Sequence, residues 1–214
     1  MQEKAAALKQ SLAQNQAALK QYSWTETTQI SLKGEVKKQE QKECQYGPDG
    51  KVQKTPSPSS APAQQPASEG GRGGRMKKHV VEKKVGEMKD YMEQVAALVH
   101  EYVPPDPEKL QAVIAAKNVT AQPGSSPGAA VITFKNYLKQ GDSLAIGFDS
   151  GTKKLTNYNV QTYLGDPQKD PVTLAVTFAT LPDGTSFPAQ SVLNATGKQI
   201  TVQVTNGNYK KLGT

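Results

Sequence analysis

Cysteine is nearly absent. Cys44 is the only one, which excludes an intramolecular disulfide and any metal site built on a cysteine pair, and leaves the redox compartment open. Histidine is almost as scarce: His79 and His100 lie in one helical pattern, roughly 30 Å apart at ~1.5 Å per residue, too far to share a metal ion. The only arginines are Arg72 and Arg75, and Trp24 is the only tryptophan. No apolar run approaches the ~18 residues of a membrane-crossing helix; residues 95–99 and 112–116 are the longest. The start, Met1-Gln2-Glu3-Lys4, leads into a polar helical pattern without the apolar region of a signal peptide. The chain therefore reads either as cytosolic or as numbered from beyond a removed leader.

What is present is a chain of 214 residues, 36% hydrophobic and 21% charged, too apolar for full disorder and too polar for a generous core. Sheet-rich chains of roughly 200 to 250 residues often form one domain, so residues 1–214 are read as one domain with an insertion at 55–75. That insertion, TPSPSSAPAQQPASEGGRGGR, has no large apolar side chain with which to offset its ordering entropy, and is expected to be mobile. Its arginine–glycine end is a single copy without interleaved aromatics, which speaks against RNA binding. Most of the net charge of +7 sits at its end and just beyond it, in Arg72, Arg75, Lys77, Lys78, Lys83, Lys84 and Lys89 against Glu82 and Glu87. The first six form a candidate patch for anionic partners; the alternative is a solvated helix start.

Residues 3–22 fit a helix, with Leu8, Leu12, Leu19 and Tyr22 near one face. The period then changes to two: Tyr22, Trp24, Glu26, Thr28, Ile30, Leu32, Gly34 and Val36 alternate with polar residues, the pattern of a half-buried strand. A second extended run, 36–46, meets Gly47-Pro48-Asp49-Gly50 and returns through 51–54, which predicts a hairpin. The clearest helical signal follows. Val81, Val85, Met88, Met92, Val95, Val99 and Tyr102 recur at alternating steps of four and three, with Val80, Tyr91 and Leu98 widening the stripe. Pro104-Pro105 ends it, and Asp106 with Pro107 starts a short helix with Leu110, Val113 and Ile114 as its face. Strands are expected over 132–138, 144–148, 155–164, 172–181, 187–193 and 199–205, joined by short turns into an antiparallel meander. Its apolar face needs a cover, and the 76–103 helix is the only element long and apolar enough.

This order of elements, together with Leu32-Lys33-Gly34-Glu35-Val36, Tyr46-Gly47-Pro48-Asp49-Gly50-Lys51, Leu181-Pro182-Asp183-Gly184-Thr185 and Asn206-Gly207-Asn208-Tyr209-Lys210-Lys211-Leu212, resembles the periplasmic lipoprotein-carrier fold, the outer-membrane lipoprotein-sorting superfamily. The resemblance implies an α+β fold: a strongly curved antiparallel sheet, an open half-barrel, covered by an N-terminal helix and a central long-plus-short helix pair. It also implies an exported cell-envelope protein with an apolar cavity for acyl chains. The family's gating arginine has no counterpart, since both arginines lie at the insertion; fold can transfer without function. Candidate cavity residues are Trp24, Ile30, Leu32, Met88, Met92, Phe134 and Phe148, the methionines offering adaptable apolar contact.

Catalytic readings find little support. Gly141-Asp142-Ser143-Leu144 matches a lipase signature, but that family takes its base from an Asp-x-x-His near the C-terminus, and no histidine follows His100. Asp149, Asp166, Asp170 and Asp183 sit in turn signals without EF-hand spacing. The expectation is a non-catalytic, cofactor-free monomer that binds an apolar ligand. The alternative is a cell-envelope interaction module with a filled core that uses the basic 72–89 stretch, and nucleic-acid binding is a distant third.

Overall fold

The computed structural model describes residues 14–57, 74–124, 128–152 and 154–213, with residues 74–84 described by backbone alone. Ten strands form one antiparallel sheet: β1 (Tyr22–Leu32), β2 (Glu35–Tyr46), β3 (Val52–Pro56), β4 (Val119–Pro123), β5 (Ala129–Lys135), β6 (Ser143–Asp149), β7 (Lys154–Tyr163), β8 (Pro171–Thr180), β9 (Ser186–Ala195) and β10 (Ile200–Lys211). Their spatial order is β3-β2-β1-β10-β9-β8-β7-β6-β5-β4, so the sheet is open, with β3 and β4 at its edges. Each edge strand ends in a proline, Pro56 or Pro123, which removes a backbone donor where another strand could add. Register shifts in the β1–β10, β1–β2, β6–β7 and β8–β9 pairs mark bulges, which bend and twist the strands that carry them. The expected curved sheet with helices is thus the observed architecture.

Helix α1 (Gly74–His100) and helix α2 (Pro107–Ala115) cover one face. Asp106 caps α2 as its sequence position predicts, accepting from the Glu108 and Lys109 amides, with Pro107 at the first position. On the covered face the register brings Phe134, Leu144, Val160, Leu174 and Leu193 into one row. Ile132, Ile146, Tyr158 and Val176 line up beside it. With Tyr91, Val95 and Tyr102 they form the core. Val95, Leu144 and Val172 have no exposed surface, and each such side chain contributes about 1.5–3 kcal/mol by burial.

The opposite face is built from the alternate residues. Thr27, Thr205, Gln190, Thr177 and Asn157 make one row across β1, β10, β9, β8 and β7. Gln29, Gln203, Val192, Ala175 and Asn159 make the next. Ser31, Thr201, Asn194, Thr173 and Gln161 make the third.

Several expectations need correction. The helix expected over 3–22 is helical at 14–19 among the described residues, and Tyr22 already belongs to β1. The insertion is shorter than 55–75: Thr55 and Pro56 complete β3 and α1 begins at Gly74, while residues 58–73, Arg72 among them, lie outside the described residues. The strand expected to reach residue 138 ends at Lys135, because Asn136 turns to a φ of 52° to open a turn. Strand β4 was not anticipated at all, and β10 runs on to Lys211 rather than stopping at Thr205.

Candidate functional site

Two tyrosines fasten α1 and its C-terminal extension to the sheet. The Tyr91 hydroxyl donates to Asp170 Oδ1 at 2.6 Å, in the β7–β8 loop. The Tyr102 hydroxyl donates to Asp142 Oδ2 at 2.5 Å and lies 2.8 Å from Thr162 Oγ1. Between these anchors Val95 seals the interior. Around Tyr91 and N-terminal to it the cover loosens: Met88 and Met92 are only half-buried, and Val85, expected on the apolar stripe, is 63% exposed. The sheet beneath is likewise incompletely covered. Ile30 and Leu32 of β1, Val202 of β10 and Phe178 of β8 pack against the core while keeping part of their surface open.

This geometry divides the seven sequence-selected cavity residues. Phe134 and Phe148, 2% and 5% exposed, belong to the filled core. Ile30, Leu32, Met88 and Met92 are partly buried and pack against that core, as do Phe178 and Val202, which the sequence pattern did not single out. Trp24 lies apart. Its ring stacks on Tyr209 at 5.6 Å and meets Tyr46 at 5.5 Å, and Phe187 approaches Tyr209 at 4.3 Å. Cys44, opposite Trp24 across β1–β2, is buried, and burial pushes its thiol up to about 11. The sequence places it in a strand without an activating cation, and the structure adds desolvation, so the thiolate is disfavoured.

Beside this aromatic group the inward side of β1–β3 becomes charged. Lys54 bonds both carboxylate oxygens of Glu26, and Glu40 is paired with Lys38 and Lys42. The hydrogen bonds from Lys38 and Lys42 hold the Glu40 carboxyl below its ordinary range. At the β1–β10 bulge an open groove of about 470 Å³ is lined by Thr25, Gln41, Glu43, Ser57, Asn208 and neighbours. It is polar and unsuited to an acyl chain. Of the candidate basic patch, Arg75, Lys77, Lys78, Lys83 and Lys84 fall in the first turns of α1.

The lipase-like tetrapeptide has a structural task. Asp142 is 3% exposed, and its carboxylate accepts from the amides of Tyr137, Leu138 and Lys139 as well as from Tyr102. It organises a turn and holds no serine–base pair. Among the described residues no group of three His, Cys, Asp or Glu is arranged to hold a metal ion, and no helix is long and apolar enough to cross a membrane.

No family model matches the sequence, and no curated protein matches it. Among solved structures, the chain is similar to the crystal structure of a DUF1329 family protein from Desulfovibrio piger, with 10% identity, 98% of this chain and 93% of that chain covered, and a TM-score of 0.42.

Proposed function

We propose that the protein is a non-catalytic, exported binding protein for an apolar ligand, a lipid or the acylated part of an envelope component, held between the sheet and α1. One observation carries this reading. Ile30, Leu32, Phe178 and Val202 of the sheet and Met88 and Met92 of α1 pack against the core while part of their apolar surface stays open. Apolar side chains left half-open beside a packed core gain if a ligand completes their burial. An acyl chain with about 14 buried methylenes at ~0.8 kcal/mol each would supply roughly 11 kcal/mol gross. The methionines, unbranched and polarizable, adapt to an irregular chain better than branched residues would.

The test uses palmitic acid to displace the fluorescent probe N-phenyl-1-naphthylamine from delipidated protein. Wild type is expected to bind the probe and release it to the fatty acid, and Met92→Glu and Ile30→Glu are each expected to weaken binding at least about tenfold, equivalent to ~1.4 kcal/mol. Absence of probe binding, together with absence of lipid in extracts of protein purified from its own envelope, rejects the reading.

A second reading is favoured by the exposure of Val85, Gly86 and Glu87, where α1 leaves the core. The basic start of that helix would then contact an acidic partner protein. Replacing Arg75, Lys77 and Lys78 with glutamine is expected to weaken partner capture at low salt and to leave palmitate binding unchanged. If capture from envelope extracts is the same for both proteins, the basic stretch has no such role.

A further inference from the structure

The three outward rows of β1, β10, β9, β8 and β7 comprise fifteen positions without one charged side chain, and only Val192 and Ala175 are apolar. A solvated protein surface is ordinarily ~25–35% charged, so about four or five charges are expected there. The chain does not lack charge. Lys38, Glu40, Lys42, Glu26 and Lys54 crowd the inward side of the neighbouring strands instead. The uncharged pattern also continues onto β2, where Gln41 and Gln39 face Thr27 and Gln29. Gln190, Thr177, Thr173, Asn159, Gln161 and Thr205 are open to solvent.

Such a face selects its partner by exclusion and by complement. Nucleic acid and anionic lipid need cations, which it does not offer. A protein interface needs a desolvated apolar or aromatic centre, and two small aliphatic residues do not make one. Amides and hydroxyls, however, both donate and accept, and are far cheaper to desolvate than carboxylates or ammonium groups. Strands ~4.8 Å apart and rows roughly 7 Å apart set these groups in a regular two-dimensional array. Its complement is an uncharged polymer that repeats donors and acceptors along a flat ribbon. We propose that this outward face docks a neutral, extended β-linked polysaccharide across the three uncharged rows of β1, β10, β9, β8 and β7.

The test is co-sedimentation of the full chain with microcrystalline cellulose and with insoluble chitin. Saturable pelleting is expected with at least one of them, unchanged between ~50 and ~200 mM salt because no ion pairs form. Combining Gln203→Lys, Asn159→Lys and Thr173→Lys is expected to lower affinity at least about tenfold, whereas Lys38→Gln, on the inward side, leaves it intact. Should the triple variant unfold, Gln190→Lys and Thr173→Lys are measured singly and are each expected to lower affinity. Failure to pellet with either glycan overturns the proposal, as does pelleting that salt abolishes. So does a wild-type dimer that the lysine variants dissociate, which would make the face an amide-laddered contact between copies.

Discussion

Replacing Asp142 with alanine is expected to cost about 3–5 kcal/mol, a large share of the ~5–15 kcal/mol that holds a typical domain folded. The residue is buried, and its two oxygens accept from three successive backbone amides and from the Tyr102 hydroxyl. Truncation leaves those donors without an acceptor in a space that the turn closes to water, and each orphaned donor costs about 1–3 kcal/mol. Asp142→Asn is isosteric yet still destabilising, because its NH₂ group confronts donors where the carboxylate presented lone pairs. Tyr102→Phe removes one bond to a charged acceptor, worth about 1.5–3 kcal/mol, and leaves the three amide bonds in place. The double variant should lose less than the sum, since the two side chains share an interaction. Urea unfolding of the four proteins measures this directly. A loss under ~1 kcal/mol for the alanine variant would show that the carboxylate does not organise the β5–β6 turn.

How far the sequence allowed this to be foreseen depends on the range of the interaction concerned. Turn chemistry is local, and it was legible: Gly47-Pro48-Asp49-Gly50 joins β2 to β3, Asp106 caps α2, and Gly141-Asp142 turns the chain as read. That Tyr102 would leave the helical stripe to reach Asp142, forty residues on, is a tertiary fact with no local signal. Strand β4, VTAQP, is too short and polar to show alternation and is fixed only by pairing with β5. Strand β10 continues through Asn206, Gly207 and Asn208, residues of poor strand propensity, because β1 lies beside it from the other end of the chain. The candidate cavity divided for the same reason. Phe134 and Ile30 look alike in sequence, but tertiary packing leaves one sealed and the other partly open. The outward polar rows needed the register itself, since alternation identifies a face within a strand and not its neighbours across strands.

Alkaline pH is expected to unfold the protein in a steep step, and the sign follows from where its phenols sit. Burial is the main reason that the hydroxyls of Tyr91, Tyr102 and Tyr158 are held well above the ordinary tyrosine range; for Tyr91 and Tyr102 the hydrogen bonds to Asp170 and Asp142 add to it. All three side chains are under a tenth exposed. The unfolded chain releases its phenolic protons near pH 10, while the folded chain keeps them. Stability from these groups is therefore complete below pH ~10 and is lost as pH rises towards their folded values, at about 1.4 kcal/mol per pH unit for each. Three together remove about 4 kcal/mol per unit, enough to exhaust a typical domain's ~5–15 kcal/mol within roughly one to four units. Cys44 acts in the same direction from a lower starting point, since its thiol titrates near ~8.5 when unfolded and at about 11 when buried. Phenolate absorbance should thus appear together with the loss of sheet circular dichroism in one transition. Tyr158→Phe should flatten the fall by about 1.4 kcal/mol per pH unit without altering the fold. Phenolate that accumulates gradually from pH ~10 while the sheet signal persists would mean that these hydroxyls are open to water, and that the interior beneath α1 is looser than its packing indicates.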